Sequence, residues 1–61
     1  MGGFSKGDKV VLTADIGGWS RPRVNAGTVG VIVEEGGWGH SPRVKFDGVN
    51  EVVEVFDTEM R

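Results

Sequence analysis

Four short valine-rich runs lie along the chain, stretches rich in glycine separate them, and the third run alternates apolar with polar residues most regularly. The runs cover residues 8–13, 27–34, 43–47 and 51–56. Alternation with a period of two is the pattern of a strand with one buried face, so we expect four main β-strands. The residues that we predict to share the buried faces and form the core are Val10, Leu12, Val29, Val31, Val33, Val44, Phe46, Val53 and Val55.

The segments between and after these runs carry turn signals. Asp47 and Gly48 follow the third run, and this dipeptide predicts a tight hairpin in which Gly48 has a positive φ. Gly30 interrupts the second run, which indicates a bend or a close crossing of two strands. After the fourth run, residues 57–59 are predicted to form a 3₁₀ turn that lets Met60 cover one end of the core.

Composition and length favour one small all-β domain. Eleven valines and two isoleucines stand against one leucine and two alanines, and β-branched side chains prefer strands. A chain of 61 residues buries only ~60% of the surface that its unfolded form exposes, so it has no room for a deep substrate cavity. We predict a single domain over residues 1–61, with a disordered tail at residues 1–5.

Three stretches of the sequence resemble a known superfamily. KGDKVVL at 6–12, AGTVGVIVEE at 26–35 and RVKFDGVN at 43–50 are similar to the KOW-type barrels of ribosomal and transcription-elongation proteins, and to the small barrel protein of photosystem I. The resemblance implies a small five-stranded SH3-like barrel with a short 3₁₀ turn near its C-terminus. The chain differs from the nucleic-acid-binding members because it lacks their excess of basic residues.

One phrase occurs twice and contains both tryptophans. It reads GGWSRPRV at 17–24 and GGWGHSPRV at 36–44, in the first and second of the long loops between predicted strands. The resemblance implies that these loops lie side by side, so we expect the two tryptophans to be neighbours on one face. The residues that we predict to bind a partner there are Trp19, Arg21, Arg23, Trp38, His40 and Arg43. The alternative is that each tryptophan caps the barrel core under an arginine stem.

Charge separates the chain into two parts and bears on the partner. Residues 1–46 hold six basic and four acidic residues, whereas residues 47–61 hold one basic and five acidic residues. The net charge of −2 favours a protein partner, since nonspecific affinity for nucleic acid depends on cationic contacts. We therefore predict a non-catalytic accessory or regulatory module that docks on a larger protein through the Trp/Arg face.

Two other functions use the same face. In the first, the barrel binds nucleic acid, with Arg21, Arg23, Arg43 and Lys45 on phosphates and the tryptophans stacked on bases. In the second, the chain is a structural component of a homo-oligomer that buries the tryptophans between its copies.

The sequence contains no residue set that predicts catalysis, a metal site or a cofactor. His40 is the only histidine, it adjoins Ser41 in an extended stretch where neighbouring side chains point apart, and the chain has no cysteine. We therefore predict that the protein is not an enzyme. No apolar stretch approaches the ~20 residues of a membrane span, and the N-terminus lacks the pattern of a secretory signal, so we expect a cytoplasmic protein without a membrane partner.

Overall fold

A computed structural model describes residues 3–61 of the protein. The main element of the fold is a four-stranded antiparallel sheet. The strands are β1 (Lys9–Val11), β2 (Val29–Glu34), β3 (Arg43–Phe46) and β4 (Val52–Glu54), and they lie in sequence order across the sheet. A 3₁₀ turn at Asp57–Glu59 follows β4. The predictions of an all-β protein and of this 3₁₀ turn are confirmed, and each strand falls within the run that predicted it.

The core forms on one face of the sheet. Val10 of β1 lies opposite Gly30 of β2, and Gly30 lies opposite Phe46 of β3. Six predicted core residues are buried: Val10, Leu12, Val44, Phe46, Val53 and Val55.

The prediction that Val29, Val31 and Val33 belong to the core is wrong. Their exposed fractions are 36%, 39% and 37%, because β2 turns Gly30 and Ile32 inward instead. A Cβ atom on Gly30 would lie 2.7 Å from Cγ1 of Val44 and 2.8 Å from Cδ1 of Phe46. Gly30 therefore leaves room for the side chains of β3. This agrees with the close crossing of two strands that was predicted from this glycine.

Residues outside the four strands complete the core. Ile16 and Val24 exchange two backbone hydrogen bonds across the long loop between β1 and β2, and both side chains are buried. Met60 is also buried and forms an isolated bridge with Leu12, so the predicted covering of the core by Met60 is confirmed. Next to this bridge, the N–H of Val11 donates to the carbonyl of Arg61, and the N–H of Arg61 donates to the carbonyl of Val11.

Two further expectations concern the first residues and the hairpin. Residues 1 and 2 of the predicted tail lie outside the described residues. Phe4 packs against the core, and the N–H of Ser5 donates to Oδ2 of Asp8. Gly48 has a φ of 80°, as predicted, and the N–H of Val49 donates to the carbonyl of Phe46 across the turn.

Candidate functional site

The two copies of the repeated phrase each form a tight turn that is closed by an equivalent backbone hydrogen bond, although the glycines with positive φ are Gly17 and Gly18 in the first copy and Gly39 in the second. In the first, the N–H of Gly18 donates to the carbonyl of Arg21 at 3.0 Å, and in the second, the N–H of Gly37 donates to the carbonyl of His40 at 3.0 Å. Each tryptophan follows the donating glycine and so occupies the second position of a four-residue turn. We call them the Trp19 turn (18–21) and the Trp38 turn (37–40).

The first glycine of each pair lets the turn fold back on the proline that follows it. A Cβ atom on Gly17 would lie 2.1 Å from the carbonyl oxygen of Pro22, and one on Gly36 would lie 2.7 Å from Cδ of Pro42. No side chain fits at such distances. The glycine pair and the proline therefore recur because both turns need the same close approach.

Both indoles are fully exposed at the tips of these turns. The exposed fractions of Trp19 and Trp38 are 99% and 101%, the largest among the exposed apolar side chains of the described residues. The alternative that the tryptophans cap the core is therefore wrong. Because the core is filled by aliphatic side chains, Phe46 and Met60, the indoles contribute apolar area only to the surface.

Arg21 connects the Trp19 turn to the C-terminal part of the fold. Its guanidinium donates to both carboxylate oxygens of Glu59, at 2.9 and 3.2 Å, and to the carbonyl of Glu54 at 3.0 Å. The hydrogen bond with Glu59 raises the pKa of Arg21 above its ordinary value. The same bond lowers the pKa of Glu59, and the N–H of Phe56 on that carboxylate also lowers it. Arg21 therefore anchors the turn instead of facing solvent freely.

Phe56 lies beside both copies of the phrase. Its ring centroid is 5.7 Å from Cζ of Arg21, at the base of the Trp19 turn. The same side chain lines an open hollow of about 310 Å³ together with His40 and Pro42 of the second copy. Phe56 is 58% exposed, so the structure brings the two copies to a shared exposed aromatic residue.

The remaining predicted site residues occupy different surroundings. Arg43 follows the Trp38 turn, and its Nε lies 3.5 Å from Oε1 of Glu34 on the exposed surface. It also faces Glu54 of β4, the strand that Arg21 reaches from the other copy. Arg23 is exposed and borders a separate hollow of about 170 Å³ with Asp15 and Asn25. Among the described residues, Arg23 does not line the hollow that Phe56 forms with His40 and Pro42, which we call the Phe56 hollow.

Two residues of this surface were missed by the sequence analysis. Phe56 continues the alternation of the fourth run, in which Val53 and Val55 point inward, so its outward position was predictable from the same pattern. Glu59 had a weaker signal, since it is one of five acidic residues in the C-terminal part of the chain. Nothing in the sequence indicates which of the five pairs with Arg21.

Within residues 3–61, no group of three His, Asp or Glu side chains is arranged to hold a metal ion. The helical part of the described chain is a single short turn, and no helix there is long and apolar enough to cross a membrane. Comparison of the chain with protein-family models, with curated proteins and with solved structures gave no significant match.

Proposed function

We propose that this protein is a non-catalytic binding module that docks on a larger protein through the Trp19 and Trp38 turns. The observation that carries the proposal is the full exposure of both indoles, each at the second position of a hydrogen-bonded turn. A tryptophan buries about 150–250 Å² when it is covered, and tryptophan and arginine are enriched among residues that dominate binding energy. Two such side chains leave a small domain with a large exposed apolar surface unless a partner covers them.

The construction of the turns supports this proposal. Close packing of Gly17 on Pro22 and of Gly36 on Pro42 restricts the backbone around each tryptophan. The Arg21–Glu59 pair further fixes the Trp19 turn to the C-terminal segment. A surface that is ordered before binding loses less conformational entropy on association, which raises its affinity.

We also propose that the sheet closes into a small SH3-like barrel, with residues 59–61 acting as the fifth strand. The support comes from three backbone hydrogen bonds on the free edge of β1: the N–H of Val11 to Arg61 at 2.8 Å, the N–H of Arg61 to Val11 at 3.0 Å, and the N–H of Thr13 to Glu59 at 2.8 Å. Such a barrel puts the two long loops at one edge of the sheet, as the proposed docking surface needs.

The charges around the tryptophans favour a protein partner over nucleic acid. Arg21 is paired with Glu59, and Arg43 lies close to Glu34, so two of the cations that would contact phosphates already have acidic neighbours. Affinity for nucleic acid rises with the number of phosphates that cations neutralise. A nucleic-acid partner at this face would therefore have to rely on Arg23, Lys45 and stacking.

The test is affinity capture from the native lysate, with and without nuclease, by the wild-type protein and by the double variant Trp19→Ala with Trp38→Ala. We expect a protein that survives nuclease treatment and is lost from the double variant. Val52→Ala is the matched control, because this apolar side chain is also exposed but lies on the sheet, outside both tryptophan turns. A partner that disappears with nuclease supports the nucleic-acid function, and a folded double variant that keeps its partner overturns the proposed face.

Acrylamide quenching separates a free docking surface from a homo-oligomer. In a monomer with both indoles exposed, acrylamide quenches the tryptophan fluorescence of the native chain nearly as strongly as that of the urea-unfolded chain. If copies of the chain bury the tryptophans against each other, quenching weakens as protein concentration rises, and sedimentation reports a larger species. That result would replace the proposed function with the homo-oligomeric one.

A further inference from the structure

The outward face of the sheet carries an apolar stripe that the core does not use. Val29, Val31 and Val33 follow one another along the outward side of β2, and each is more than a third exposed. Val11 of β1 lies opposite Val29 and is half-buried. We call these four residues the valine stripe.

Two lysines flank the middle of the valine stripe. Lys9 of β1 and Lys45 of β3 both lie directly opposite Val31, one on each side. Neighbouring strands are about 4.8 Å apart, so the two lysines stand about 5 Å to either side of the stripe. The Nζ of Lys45 donates to the carbonyls of Phe46 and Val49, which holds its charge at the border of the face.

Protection of a sheet edge explains Lys9 at most, since Lys9 lies on the edge strand β1, whereas Lys45 lies on the interior strand β3. Lysines often guard exposed edge strands against pairing with another chain. The valine stripe, however, runs along β2, which is hydrogen-bonded to β1 on one side and to β3 on the other. An apolar stripe with a cation on each side, in the interior of a sheet, is instead the pattern of a docking surface for a segment of opposite charge.

We infer that the valine stripe binds an amphipathic helix of a partner protein whose aliphatic stripe is flanked on both sides by acidic residues. Val29 and Val31 lie about 6.7 Å apart along β2, and residues four apart on a helix recur about every 6 Å, so a helix aligned with β2 sets one aliphatic side chain near each of these two valines. The register shift between Ile32 and Glu34 displaces Val33 from this spacing, at the end of the stripe. The residues beside that stripe then reach Lys9 and Lys45.

A hollow at one end of the stripe supports this geometry. Lys9, Val11, Val29 and Arg61 line an open depression of about 240 Å³ on the β1 side. Its lining therefore combines valines with two basic residues. The hollow therefore suits one aliphatic side chain of the helix with an acidic residue next to it.

Two other occupants fit the surface less well. A second copy related by a two-fold axis through the face would set Lys9 and Lys45 against lysines of the same set, which is unfavourable because like charges repel. Single-stranded nucleic acid stacks its bases on aromatic side chains, and within the four described strands no outward residue is aromatic. The residues of the valine stripe are also separate from those that line the Phe56 hollow, so this surface is additional to the proposed Trp face.

The test is binding of a synthetic amphipathic helix to the full chain, followed by amide chemical shifts. The probe has about 18 residues, longer than the ~12–15 at which isolated helices become marginal, with leucine along one stripe and glutamate on both flanks. The matched control peptide has lysine in place of every flanking glutamate. We expect the acidic peptide to shift the amides of β1, β2 and β3, and the lysine peptide to bind at least about tenfold more weakly.

Variants of the chain locate the site. Val31→Thr with Val33→Thr keeps the β-branched shape, so we expect an unchanged fold and at least about tenfold weaker binding of the acidic peptide. Lys9→Glu should have a similar effect, whereas Trp19→Ala with Trp38→Ala should bind the peptide as the wild type does. The inference is overturned if the acidic peptide does not bind, if the lysine peptide binds equally well, or if the shifts map to the Trp turns. It is also overturned if self-association or an oligothymidine probe covers the valine stripe instead.

Discussion

The guanidinium of Arg21 joins three parts of the molecule that are distant in sequence. It belongs to the Trp19 turn, it pairs with Glu59 of the 3₁₀ turn, and it donates to the carbonyl of Glu54 on β4. Both side chains of the Arg21–Glu59 pair are mostly buried, so solvent screens this pair less than an exposed one. The residue that the sequence suggests as a partner contact thus has a structural role first.

Glu59→Gln should reduce the free energy of unfolding at neutral pH, and the loss should disappear in acid. Because the pKa of Glu59 is lowered in the folded state, its carboxylate contributes stability above the unfolded pKa of about 4.3, and this is lost as pH falls through the folded pKa. Hydrogen bonds to charged groups contribute about 1.5–3 kcal/mol, and partial exposure reduces this to about 1–2 kcal/mol here.

Urea unfolding of Glu59→Gln and wild type at about pH 7 and about pH 3 measures this difference. The matched control is Glu51→Gln, an exposed glutamate of the same acidic segment, which should change the unfolding free energy by less than about 0.5 kcal/mol. If Glu59→Gln is as stable as wild type at neutral pH, the pair with Arg21 does not stabilise the fold.

Phe46 is the largest fully buried side chain, and its truncation should nearly abolish the fold. Phe46→Ala removes a ring that packs on Gly30, which should cost about 3–5 kcal/mol. A domain of this size has about 3–9 kcal/mol of total stability. Phe56→Ala is the matched control, because the same substitution at a mostly exposed phenylalanine should cost far less. Melting of both variants within a few degrees of wild type would contradict the core assignment.

At the level of elements, the sequence pattern predicted β2 as a strand but left open which of its two faces is buried. Both faces of this strand are apolar, with Val29, Val31 and Val33 on one face and Gly30 and Ile32 on the other. Counting apolar residues favours the three valines, but the choice is made by pairing, since the inward Val10 and Phe46 both lie opposite Gly30. Each of the other three strands carries at least one charged residue on its outward face, and their buried residues were predicted correctly.

The loops were less predictable than the strands, although the repeated phrase was a sound guide to a local structure. In both copies the first glycine lies close to the following proline and the second glycine donates the hydrogen bond that closes the turn, although the glycines with positive φ differ between the copies. Burial of Ile16 and Val24 had no alternating pattern to reveal it. The pairing of Arg21 with Glu59 depends on how the C-terminal segment returns to the sheet, and no local pattern contains that information.

In the hairpin between β3 and β4, the free-energy cost of a positive φ can be measured without a steric clash. Gly48 has a φ of 80°, and a Cβ atom there would meet nothing within 4 Å. Gly48→Val should therefore reduce the free energy of unfolding by about 1–3 kcal/mol through backbone strain alone. Gly48→Asn is the matched variant, because asparagine tolerates this region better and should cost less. Equal urea midpoints for Gly48→Val and wild type would show that the turn relaxes at no cost.

At the level of the whole molecule, the acidic C-terminal part of the chain is drawn back onto the sheet. Glu59 neutralises Arg21, Met60 enters the core beside Leu12, and the backbone of Arg61 pairs with Val11. The segment therefore connects the first strand, the long loop and the end of the chain. Its contacts hold the base of the Trp19 turn, so stability and the proposed docking surface depend on the same few residues.

Met60→Ala should weaken the contact between the C-terminal segment and β1 more than any substitution of similar size at an exposed residue. The side chain is buried, so its loss should cost about 2–5 kcal/mol and expose the free edge of β1. The amides of Val11 and Arg61, which donate to each other's carbonyls, should then exchange with solvent much faster. Met60→Leu conserves volume and should cost less than about 1.5 kcal/mol, and Val52→Ala controls for loss of an exposed apolar side chain.

If Met60→Ala unfolds at a lower urea concentration while Val11 and Arg61 keep their protection up to the global transition, the C-terminal segment folds with the sheet as one unit. If the two amides exchange early while β2 and β3 stay protected, the segment opens on its own, and the Trp19 turn that Arg21 ties to it becomes mobile with it.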